Sequence, residues 1–121
     1  MTDLNNIVLN ALDDLKAKDV VRLEVAELTD VMDTLIVASG TSNRHVKSLA
    51  NNVAMEAKKA GIMPLGVEGE GPGEWVLVDF GDTVVHVMTP ATRSFYDLEK
   101  LWSQAPKSRL DQAQDDGSPA E

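Results

Sequence analysis

The tightest constraint on the fold is Leu35-Ile36-Val37-Ala38-Ser39, five residues without a charge that run directly into Gly40-Thr41-Ser42. So short and apolar a run reads as a strand covered on both faces, the pattern of an interior strand in a sheet flanked by helices. Gly40, Thr41 and Ser42 then turn the chain into a helix. Its apolar stripe is Val46, Leu49, Ala50, Val53, Ala54, Ala57 and Ala60, and Gly61 is its stop signal.

The other elements fit around that pair. Leu4, Val8, Ala11, Leu12 and Leu15 recur at helical spacing, with Thr2 or Asp3 as a cap. Residues 20–25 alternate as a first strand. Pro64 confines the next strand to an edge or a beginning, near Leu65 to Glu68. GEGPG at 69–73 reads as a flexible link, after which WVLVD at 75–79 and TVVHVM at 83–88 are separated by only Phe80, Gly81 and Asp82. So short a connection predicts an antiparallel hairpin. A final helix is expected over 93–102, packing through Phe95, Leu98, Leu101 and Trp102 with Tyr96 at its flank. The order helix, strand, strand, helix, three strands, helix predicts an α/β fold: a single mixed sheet of about five strands with helices packed on it.

With 121 residues the chain has room for one domain, expected over 1–102, followed by a tail over 103–121 too poor in large apolar residues to repay its ordering entropy. Eleven basic against 20 acidic side chains give a net charge of −9, which repels a phosphate backbone and argues against nucleic acid as the main direct partner. The absence of cysteine excludes disulfides and thiolate chemistry. No apolar run reaches membrane-spanning length and no leader pattern opens the chain, so a cytoplasmic protein without a membrane partner is expected. The basic residues Arg44, Lys47, Lys58 and Lys59 belong to one helical segment and read as a solvated face.

The candidate catalytic patterns are weak. Asp79-Phe80-Gly81 spells the metal-binding triplet of protein kinases, but no HRD or VAIK segment accompanies it, and a hairpin turn explains it. SGTSNRH at 39–45 offers free N–H groups at a helix start, yet it is not a phosphate-binding GxxxxGK[ST] loop; helix capping explains it. His45 and His86 are the only histidines, and neither sits in a metal-ligand spacing. His86 shares a strand face with Val84 and Met88, which suits a hydrogen-bonded histidine in a packed layer. No catalytic residue, metal or cofactor is therefore assigned.

One stretch stands apart. Residues 61–92 carry Glu68, Glu70, Glu74, Asp79 and Asp82 and no lysine or arginine. An acidic rim beside Trp75 suits docking to a basic protein surface, because charge steers encounter while the aromatic supplies contact area. Trp75 shares strand parity with Leu77 and Asp79, so its face stays open to a partner if helices cover it incompletely; burial of Trp75 in the core, with the acids as ordinary strand ends and turns, is the other reading of the same pattern.

Three ordered blocks, ASGTSNRHV at 38–46, GIMPLGVEGEGPGEWVLVDFGDTVVHVM at 61–88 and RSFYDLEKLW at 93–102, make the chain resemble the ribosomal silencing factor family, also called RsfS or Iojap-like, over roughly Ile7 to Ser103. The resemblance implies a translational repressor that binds the large ribosomal subunit through its fourteenth ribosomal protein and sterically blocks joining to the small subunit, especially in starvation or stationary phase. It implies a nucleotidyltransferase-like topology without the catalytic site, and a possible homodimer. Carried onto this chain, it nominates Trp75 as apolar anchor, Asp79 and Asp82 as polar or turn-positioning members, and Glu68 and Glu70 as partners of basic side chains. His86 and Met88 support the neighbouring strand or reach the interface, while Arg93 and Tyr96 hold the last helix against that surface. Two departures are the Asp33-Thr34-Leu35 stretch, where many members have DYF, and Met88, where many have Phe. The alternatives are a ribosome-biogenesis scaffold and a metal-dependent nucleotide-binding enzyme.

Overall fold

The computed structural model describes residues 3–104, with side chains through Leu101. Of the tail expected over 103–121, residues 103 and 104 still belong to the last helix, and the rest, like the packing of the Trp102 side chain, lies outside the described residues. The elements are α1 (Leu4–Asp14), β1 (Lys18–Glu24), β2 (Thr34–Ser39), α2 (Asn43–Lys59), β3 (Gly66–Glu68), β4 (Trp75–Asp79), β5 (Thr83–Met88), α3 (Pro90–Tyr96) and α4 (Leu98–Gln104).

The strands form one five-stranded sheet in the order β1-β2-β5-β4-β3. Strand β2 runs parallel to β5, while the β1–β2, β3–β4 and β4–β5 pairs are antiparallel. Every residue of β2 is buried, as its unbroken apolar run required. The predicted hairpin joins β4 to β5. Asp79 Oδ1 accepts from the Gly81 N–H at 2.8 Å, and Gly81 takes φ +96°, a conformation that its missing Cβ makes cheap.

Helices α1 and α2 pack on one face of the sheet. Val8, Leu12, Val46, Leu49 and Val53 meet Ile36, Ala38, Val76, Val78, Val85 and Val87 there with essentially no exposed surface. Each such Val, Leu or Ile contributes about 1.5–3 kcal/mol by leaving water. Asp3 caps α1 and Ser42 caps α2 through its side chain. Helix α2 ends as Gly61 predicted: the Ile62 N–H reaches the Ala57 carbonyl and the Gly61 N–H the Lys58 carbonyl. Ala60, assigned to the apolar stripe from spacing, is exposed at that end. His45 ties the two helices together. Its Nδ1 accepts from the Thr41 N–H at 2.9 Å and its Nε2 donates to the Leu15 carbonyl at 2.7 Å.

The C-terminal helical region differs from expectation. Instead of one helix over 93–102 there are two, broken at Asp97, which adopts φ 50° and ψ 53°. The break turns the expected packing surface apart: Leu98 packs on the second face of the sheet, but Phe95 is 80% and Leu101 49% exposed. The physical cause is a fork. Arg93 Nε and Nη2 donate to the two carboxylate oxygens of Glu99 at 2.8 and 2.9 Å, and Arg93 Nη1 donates to Ser39 Oγ at 2.9 Å. Residues six apart on a continuous helix point to different sides, so this pair forms only if the helix bends between them.

Candidate functional site

The second face of the sheet is covered unevenly. The strand registers place Glu68, Leu77, His86, Val37 and Val21 in one row across the sheet, with Trp75, Met88 and Ser39 in a neighbouring row. Over β1 and β2 this face is closed by Val25, Leu28, Met32 and Leu98, which pack with Leu35, Val37 and Met88. Over β4 it is not. Trp75, Leu77 and Asp79 all keep part of their surface, whereas Val76 and Val78 on the opposite face keep none.

Helix α3 borders that opening with its aromatic residues. The Tyr96 ring lies 4.7 Å from the Trp75 ring at an interplanar angle of 47°, and Phe95 meets Tyr96 edge-on at 5.0 Å. Tyr96 is 53% exposed, so Trp75, Tyr96 and Phe95 form a continuous aromatic row of which much faces water. Behind the row, Trp75 Nε1 donates to His86 Nδ1 at 2.9 Å. Burial pushes the His86 imidazole down to about 4, which keeps the ring uncharged and its Nδ1 an acceptor at neutral pH. Arg93, a residue of α3, is engaged with Glu99 and Ser39. Its hydrogen bond is the main reason the Glu99 carboxyl sits below its ordinary range, with burial opposing the effect.

The loop before Trp75 is tied down, in contrast to the flexible link suggested by its composition. The Gly73 N–H donates to the Gly69 carbonyl at 3.1 Å, and Asn43 Nδ2 donates to the Pro72 carbonyl at 3.0 Å. Gly69 has φ +88°, and a Cβ there would lie 2.1 Å from the Trp75 carbonyl oxygen. Only glycine therefore permits this approach to the strand that carries Trp75.

The acidic residues predicted around Trp75 fall into two groups. Glu68 is exposed on the Trp75 face of β3, paired in register with Leu77, and Glu70 and Glu74 are exposed in the loop that leads to Trp75. Asp79 shares the face but lies four residues along β4, roughly 13 Å away at the rise of an extended strand. Asp82 sits at that far end too, where its carbonyl accepts from the N–H groups of Asp33 and Thr34. Met88 has no exposed surface and His86 only 8%, so both form the floor beneath the aromatic row. Three residues of this region had no signal in the sequence: Glu99 and Ser39, which hold Arg93, and Phe95 as an exposed rather than packed ring. The spacing of Arg93 and Glu99 would have been the signal, but only with the bend at Asp97 already known.

Among the described residues, no three histidine, aspartate or glutamate side chains converge as a metal site, and no helix is long and apolar enough to cross a membrane. A family model described as ribosomal silencing factor during starvation matches residues 1–121. The chain is 50% identical over 100 residues to the ribosomal silencing factor RsfS of Chromobacterium violaceum, covering 83% of this chain and 82% of that protein. It is 39% identical over 100 residues to the ribosomal silencing factor RsfS of Haemophilus influenzae, covering 83% and 98%. The crystal structure of protein CV0518 from Chromobacterium violaceum superposes with a TM-score of 0.82 at 50% identity, covering 85% of this chain and 87% of that one.

Proposed function

This chain belongs to the ribosomal silencing factor family, and from that premise we propose that it represses translation by docking on the large ribosomal subunit, through the fourteenth protein of that subunit, where it blocks joining of the small subunit. The mechanism is steric and needs no catalysis. Trp75 and Tyr96 supply the desolvated contact, and Glu68 and Glu70 steer the face toward a basic protein surface. Asp79 and Asp82 shape the far end of the site, His86 and Met88 form its floor, and Arg93 braces the helix that carries Tyr96. Lowered translation when nutrients are scarce follows from occupying the joining surface.

The observation that carries this reading is the partly exposed aromatic row of Trp75, Tyr96 and Phe95 where the second face of the sheet is open over β4, with exposed acids beside it. Purified large and small subunits are mixed with saturating protein and resolved on sucrose gradients. Wild-type protein is expected to leave the subunits separate and to travel with the large one, while Trp75→Ala restores joining. Normal joining with saturating wild-type protein overturns the reading, and comigration confined to immature particles points instead to assembly.

A further inference from the structure

We propose that His86 is a positioning residue: with Tyr96, it fixes the Trp75 indole in its docking orientation before any partner arrives. The inference rests on the docking reading above and concerns how its anchor is prepared. His86 is nearly closed to solvent, so it acts through Trp75 and not as a contact of its own.

The row across the sheet that contains His86 has apolar neighbours on both sides, Leu77 on β4 and Val37 on β2, followed by Val21 on β1. A polar ring in such a row carries a desolvation cost unless its hydrogen bond is made. An aliphatic or phenyl side chain would fill the same space without that cost. What the imidazole alone provides is an acceptor at Nδ1, and that acceptor is taken by the indole N–H of a residue on the neighbouring strand, 2.9 Å away. The N–H can only donate, so the proton of the ring lies on Nε2. Tyr96 meets the indole at 4.7 Å and the imidazole at 5.8 Å sets the tilt of its plane at 44°. One hydrogen bond and two ring contacts therefore define the two side-chain torsions of Trp75. An anchor held in this way has less freedom left to lose on binding, and the saving appears as affinity.

The test uses the full chain with two substitutions at one position. His86→Phe keeps the bulk and removes the acceptor; His86→Asn places a carbonyl oxygen near the former Nδ1. Large-subunit binding is measured by sedimentation, and the indole N–H of Trp75, assigned by comparison with Trp75→Phe, is followed by nuclear magnetic resonance in the free protein. Wild-type protein is expected to show a Trp75 indole proton protected from exchange with water. His86→Phe is expected to lose that protection and to bind roughly five- to tenfold more weakly, with His86→Asn recovering both. Wild-type binding that is matched by His86→Phe overturns the positioning role and leaves the docking reading intact. Absence of wild-type binding removes both. Should His86→Phe fail to fold, rapid exchange of the wild-type indole proton is by itself sufficient to overturn the inference.

Discussion

Lowering the pH from 7 to 5 should destabilise this protein through His86 in particular. The imidazole titrates at about 4 in the folded chain against an ordinary 6.5, because burial penalises the charged ring. Between those values the unfolded chain binds the proton and the folded chain does not, so stability rises with pH across the window and is lost as pH falls through it. Each tenfold difference in proton affinity is worth about 1.4 kcal/mol, giving roughly 3 kcal/mol over the whole window and about 2 kcal/mol of it between pH 7 and pH 5. Below about 4 both forms are protonated and this contribution no longer changes. Urea unfolding of the wild type and of His86→Asn at a series of pH values isolates the effect, since the asparagine does not titrate while His45 and the carboxylates are common to both. The wild-type loss between pH 7 and 5 should exceed the variant's by about 2 kcal/mol. Parallel curves for the two proteins would refute the argument that burial holds the imidazole neutral.

Two further perturbations probe the supports of the aromatic row. Gly69→Ala places a Cβ against the Trp75 carbonyl at a backbone angle unfavourable to alanine, and should cost about 2 kcal/mol or more, read as a lowered thermal midpoint. Gly66→Ala, whose Cβ meets nothing within 4 Å, should leave the midpoint nearly unchanged; equal effects would contradict the assigned approach. Replacing Glu99 by Gln weakens a fork whose side chains are only 11% and 28% exposed, and should cost about 1–2 kcal/mol in urea unfolding. Arg93→Lys should show a similar loss, because a lysine cannot span both carboxylate oxygens and Ser39 together. An unchanged urea midpoint in either variant would remove the fork as the cause of the bend at Asp97.

The legibility of the fold varied with the range of the forces that decide each part. The charge-free run at 35–39 demanded burial on both sides, and β2 received it from the helix pair on one face and the Val25, Met32 and Leu98 layer on the other. Strand parity placed Val76 and Val78 opposite Trp75 and Leu77, and the three-residue connection made the hairpin, because both depend on near neighbours along the chain. The end of the last helical region was not legible. Asp97 carries no glycine or proline signal, and its left-handed backbone is selected by the contact of Arg93 with Glu99 and Ser39, the last of which comes from the other half of the chain. In the candidate site, Trp75 stood out from strand parity as an aromatic able to stay open, whereas Tyr96 was read only as a flank of the last helix, and nothing local distinguishes an imidazole that meets a partner from one that holds a neighbouring indole. Only the diagonal relation of Trp75 and His86 across β4 and β5 separates these roles.

The single parallel pairing in the sheet bears on when the protein becomes competent. Thr34 to Ser39 pair with Thr83 to Met88, residues separated by 49 positions along the chain, and this is the seam that joins the two halves of the sheet. The β4–β5 hairpin can form from local sequence, but its centre strand has no second neighbour until β2 arrives, and Arg93 has no Ser39 to hold. Closing so long a loop comes at an entropic disadvantage that only the completed sheet repays. The aromatic face is thus a property of the finished chain: a half-folded molecule contains every residue of the row Trp75, Tyr96 and Phe95 and still does not assemble them into one surface.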